Sequence, residues 1–131
     1  MSPEIEEFWL FSKDGLPIAD FTCSEQSTDK SIIGGLVSAI KSFSHQLTTK
    51  GLQSLELEDS KIVFFTALQG NIILVIRADS KAKDKKINKI SIDIIKIFED
   101  LYSAEDIISW NGSTIFFQEF RIRMCAFFSN L

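Results

Sequence analysis

The sequence is poor in the residues that carry most enzyme chemistry. It has one histidine, two cysteines and one tyrosine in 131 residues. A single imidazole, His45, restricts general acid–base catalysis, and neither Cys23 nor Cys125 has a histidine beside it in sequence to take its proton. The two cysteines lie far apart and match no zinc or redox spacing, so they read as free thiols in a reducing compartment. Long apolar runs are also missing. A membrane span needs ~18–20 such residues, and the longest stretch here, Ile72 to Ile76, has the length of a strand. The start, Met1-Ser2-Pro3-Glu4-Ile5-Glu6-Glu7, is acidic where a secretory leader would be basic and then apolar. A basic excess is lacking too: the net charge is −4, which argues against nucleic acid as a partner. These absences predict a cytoplasmic, non-enzymatic chain with no transmembrane segment and no cofactor.

What is present is core. Hydrophobic residues make up 45% of the chain and 12 of them are phenylalanines, enough to cover both faces of a sheet and too many for disorder. With two prolines, six glycines, no repeat and no low-complexity linker, residues 1–131 read as one domain. The one basic cluster, Lys81, Lys83, Lys85 and Lys86, has Asp79, Asp84 and Asp93 nearby. It reads first as a solvated helix start and second as a peripheral contact for an anionic lipid or acidic partner.

Periodicity then orders the elements. Phe8 to Phe11 runs into Asp14-Gly15, a hairpin turn, and returns through Leu16 to Phe21. Pro17 cannot donate to a ladder, which sends that second strand to a sheet edge. Ser27-Thr28-Asp29 offers helix caps. Ile33, Leu36, Val37, Ile40, Phe43 and Leu47 follow at helical spacing, up to Lys50-Gly51. Three strands come next. Gln53 to Glu58 alternates and is charged. Lys61 to Thr66 is apolar at its centre, and Ile72 to Ile76 does not alternate, as expected of a central strand covered on both faces. Ile87, Ile90, Ile94, Ile97, Phe98 and Leu101 then mark a second helix. A third is expected over about Thr114 to Ser129, burying Phe117, Phe120, Met124 and Phe127 or Phe128. The predicted fold is a three-layer α/β (α+β) domain. Its five-stranded, antiparallel-rich sheet runs in order 2-1-5-4-3, with one helix on one face and two on the other.

In this order of elements the chain resembles a longin domain, an α/β module of vesicle-trafficking proteins related to roadblock domains. The resemblance is carried by Phe8-Trp9-Leu10-Phe11 with Asp14-Gly15, by Ser31-Ile32-Ile33-Gly34-Gly35-Leu36-Val37-Ser38-Ala39-Ile40, and by the meander from Leu55 to Ile76. It covers nearly the whole chain, through topology rather than a signature motif. The roadblock module opens with a helix before its hairpin, and a strand beginning by Phe8 leaves no room for one. The resemblance implies a non-enzymatic platform that forms a homodimer, or a heterodimer with another longin or roadblock domain, and binds or regulates a small GTPase. The chain ends at Leu131 without a heptad segment, which argues against a fusion SNARE. A second reading, from the related profilin-like and PAS-like sheets, is a small-molecule sensor with a cavity between the sheet and the first helix. An unrecognised hydrolase is the weakest reading.

No matched motif assigns contact residues, so the candidates come from exposure. On the first helix, Gly34 with Ser38, Lys41, Ser42 and His45 defines an outer face. Gly34-Gly35 lets something pack closely there, either the chain's own sheet or a partner helix. Glu56 and Glu58 share one face of the charged edge strand, and a solvated edge explains them as well as a docking site does. Trp110, beside Asn111-Gly112, is the aromatic expected to be exposed and to serve as an anchor.

Overall fold

The computed structural model describes residues 5–13, 16–22, 54–56 and 58–129. Its strands are β1 (Ile5–Ser12), β2 (Pro17–Thr22), β3 (Ser54–Glu56), β4 (Ser60–Ala67) and β5 (Ile72–Asp79). Three α-helices follow: α1 (Asp84–Leu101), α2 (Ala104–Ile108) and α3 (Gln118–Ser129), the last entered through a 3-10 turn at Thr114–Phe117.

All described pairings are antiparallel. β5 lies between β1 and β4, and β2 pairs on the outer side of β1. The expected five-stranded sheet needs correction. Its body is a four-stranded antiparallel sheet in the order β2-β1-β5-β4, built from strands of six to eight residues. Of the segment expected as a full strand over Gln53 to Glu58, the described strand is three residues at the outer edge of β4, paired through Ser54, Leu55 and Glu56. Glu58 and Asp59 form a bend instead, because the chain must reverse within the few residues before Ser60. The helix count is corrected as well: among the described residues there are three helices rather than two after the sheet, and α1, α2 and α3 share one face, as expected of the C-terminal helices. The helix expected between Ser27 and Gly51 lies outside the described residues.

Strand alternation sorts the side chains. Phe8, Leu10, Ile72, Leu74 and Ile76 face the helices, with Val63 and Phe65 packed against them from β4. Trp9, Phe11, Ile62, Ile73 and Val75 form a second buried cluster on the opposite face, with Phe64 against it. The unbroken apolar run of β5 is thus explained, since both of its faces are buried.

The helical layer follows from spacing. On α1, Ile87, Ile90, Ile94 and Phe98 are buried, while Ile97 and Leu101 are half-buried at the margin of the stripe. The buried Ser91 hydroxyl donates to the Ile87 carbonyl at 2.7 Å, so it costs no unpaired donor. On α3 the buried set is Phe120, Met124 and Phe128; Phe128 stacks on Phe8 with centroids 5.7 Å apart, and Phe127 is half-buried. Phe98 centres an aromatic cluster, edge-on to Phe120 at 5.0 Å and stacked with Phe117 at 5.8 Å. Burying each such ring stabilises by roughly 1.5–3 kcal/mol. Arg121 donates to the Ile18 carbonyl at 2.9 Å and ties α3 to the edge strand β2.

Candidate functional site

Helix α2 has a local cause. The Ser103 hydroxyl accepts from the Asp106 backbone N–H at 3.2 Å, and the Asp106 carboxylate accepts from the Ser103 N–H at 2.9 Å. This reciprocal capping box starts a helix of only five residues. It carries Ile107 into the core and leaves Ile108 exposed beside Trp110. The chain then turns at Gly112, whose φ of +91° suits glycine. Ser113 N–H donates to Asn111 Oδ1 at 3.0 Å, and the Trp110 indole N–H donates to the Ser113 carbonyl at 2.8 Å.

Trp110 is therefore half-buried rather than fully exposed, with its ring edge-on to Phe117 at 4.8 Å. Its free side helps line a recess of about 170 Å³ at one end of the sheet, together with Ser12, Lys13, Leu16, Asn71, Ile107 and Ile108. Three connections meet there. The Ser12 N–H donates to the Leu16 carbonyl and the Lys13 N–H to the Asn71 carbonyl, both at 2.9 Å, which joins the β1–β2 and β4–β5 turns.

Among the described residues, no other predicted position lines this recess. Gly34, Ser38, Lys41, Ser42 and His45 lie outside the described residues. Glu56 ends β3, and Glu58 is exposed in the bend that follows, so the two no longer share one strand face. Lys81, Lys83, Lys85 and Lys86 are exposed around the start of α1. Cys125 is an exposed free thiol on α3. Among the described residues no group of three or more His, Cys, Asp or Glu is placed to hold a metal ion. No described helix is long and apolar enough to cross a membrane.

Sequence reasoning missed Ser12, Leu16, Asn71, Ile107 and Ile108. The spacing Ser103-Ala104-Glu105-Asp106 was the available signal for α2. Nothing local marks Asn71 as a neighbour of Trp110. A second feature also went unread, an apolar strip on the outside of the helical layer. Ile115 is 75% exposed, Ile122 56% and Phe116 43%. One 3-10 turn plus one α-helical turn separates Ile115 from Ile122, so the two isoleucines share a side of the helical run.

No protein-family model matches the chain, and no curated protein matches it.

Proposed function

We propose that this chain is a longin-type interaction module that dimerises, with itself or with another longin or roadblock domain, and presents a joint surface to a small GTPase. Its mechanism is positional: it holds the partner and performs no bond chemistry of its own. The observation that carries the reading is the antiparallel pairing of β1 with β5. It joins the opening hairpin to the last strand of the meander, the arrangement on which the resemblance rests, and the C-terminal helices back that sheet. The exposed strip of Ile115, Phe116 and Ile122 adds support, because large apolar side chains left in water together mark a surface that gains by being covered. The candidate contacts remain Gly34, Ser38, Lys41, Ser42 and His45, with Glu56 at the end of the edge strand and Glu58 in the bend beyond it.

The test is capture from cytosolic extract by the immobilised chain, with the nucleotide state set to GDP or to a non-hydrolysable GTP analogue. Mass-spectrometric identification of a GTPase enriched in one state is the expected result. No GTPase in either state removes the reading. Dimerisation is tested separately by sedimentation of Gly34→Leu, which should weaken self-association without unfolding the chain.

A further inference from the structure

The recess between the two turns and α2 combines an apolar wall with buried polar groups whose bonding capacity is not used up among the described residues. Leu16, Ile107, Ile108 and Trp110 form the wall, and at its rim Leu16 is 48% and Ile108 66% exposed. Ser12 and Asn71 are the polar members, with exposures of only 5% and 7%. The Ser12 Oγ accepts from the Leu16 N–H at 3.2 Å, and its own proton has no protein acceptor among the described residues. The Asn71 Nδ2 donates to the Leu68 carbonyl at 2.7 Å, which fixes the amide's orientation. Its Oδ1 has no protein donor among the described residues. Groups this buried normally find a partner.

We propose that this recess is a peptide-binding pocket. It takes one leucine- or phenylalanine-sized side chain of a partner segment and one of the amide groups flanking that side chain. Size and chemistry both lead there. A volume of about 170 Å³ is close to the ~150 Å³ cavity that holds a benzene ring. It is well below the ~300 Å³ at which sites for whole cofactors or metabolites begin. One hydroxyl donor and one carbonyl acceptor are the complement of one peptide amide, which offers a carbonyl and an N–H. A purely apolar ligand would leave both buried groups unpaired. The proposal uses neither Gly34, Ser38, Lys41, Ser42 and His45 nor Glu56 and Glu58, so it stands or falls independently of the GTPase reading.

The experiment is a titration of the full chain, followed by 15N–1H spectra, with N-acetyl-leucine methylamide and, as comparator, N-acetyl-glycine methylamide. The leucine probe should give saturable shifts at Leu16, Asn71, Ile107 and the Trp110 indole, with a dissociation constant on the order of a millimolar. The glycine probe should bind at least about tenfold more weakly. Ile108→Glu, at an exposed rim position that tolerates charge, should abolish binding while leaving the rest of the spectrum in place. Ser12→Ala should weaken binding roughly tenfold through loss of the donor. Absence of saturable shifts, equal affinity for the two probes, or full binding by Ile108→Glu would overturn the pocket. Full binding by Ser12→Ala would overturn the recognition of the amide.

Discussion

The Arg77 guanidinium donates from Nε to Glu7 Oε1 at 2.8 Å, across a register pair of β5 and β1, and the Glu7 side chain is only 2% exposed. A second guanidinium nitrogen reaches Glu6 at 2.8 Å. Consecutive residues of a regular strand point to opposite faces, so two adjacent glutamates should not meet one arginine. The ladder explains the exception. Ile5 pairs with Ala78 and Glu7 with Arg77, so two residues of β1 span one step of β5, and this bulge turns both carboxylates toward the same side chain.

Removing the arginine would break its ion pair with a buried carboxylate. Arg77→Met should therefore cost about 3 kcal/mol, read as a lower urea midpoint. Glu6→Gln, at the more exposed partner, should cost under about 1 kcal/mol. Equal effects from the two changes would contradict the burial of Glu7.

The turn between β4 and β5 carries backbone strain. Leu68 and Gln69 have φ of 51° and 59°, in the left-handed region, ahead of Gly70 at 84°. Leu68 packs against the core, which offsets its strain, whereas Gln69 is exposed and has no such compensation. Gln69→Gly should stabilise the chain by about 1 kcal/mol with an unchanged denaturant slope, and Gly70→Ala should destabilise by a similar amount.

Tyr102 is the only tyrosine, so its ionisation can be read directly from tyrosinate absorbance. Burial raises its pKa above the usual 10.0; the nearby Phe120 backbone opposes this in part, and the Glu119 charge adds to it. A raised pKa in the folded state means that this contribution to stability is whole below the unfolded value near 10. It is lost as pH rises through the folded value. Native protein should titrate above pH 10 and urea-unfolded protein near it. Tyr102→Phe should flatten this part of the alkaline stability profile.

The capping box of α2 can be tested by Ser103→Ala. Loss of the hydroxyl should cost about 1 kcal/mol. Because α2 positions Ile107 and Ile108 beside Trp110, the variant should also shift the Trp110 indole resonance. A stability loss with an unmoved indole would separate the cap from the recess.

Much of this is local, and the sequence by itself determined it. Alternation placed Leu10 and Trp9 on opposite faces, the unbroken run of Ile72 to Ile76 marked a strand buried on both sides, and three- and four-residue steps marked Ile87 to Phe98 and Phe120 to Phe128. These patterns are legible because each depends only on how a backbone period meets a nearby apolar layer. The tertiary structure alone decided the rest. It cut the edge segment at Glu56, so the expected five full strands became a four-stranded body with a three-residue stub. It added the short helix α2 between the two expected helices, brought Glu6 and Glu7 to Arg77, and set Asn71 and Ser12 beside Trp110. Each of these outcomes joins residues distant in sequence through register, a bulge or the meeting of two turns. No local period encodes such a meeting, because its energy exists only once both partners are in place.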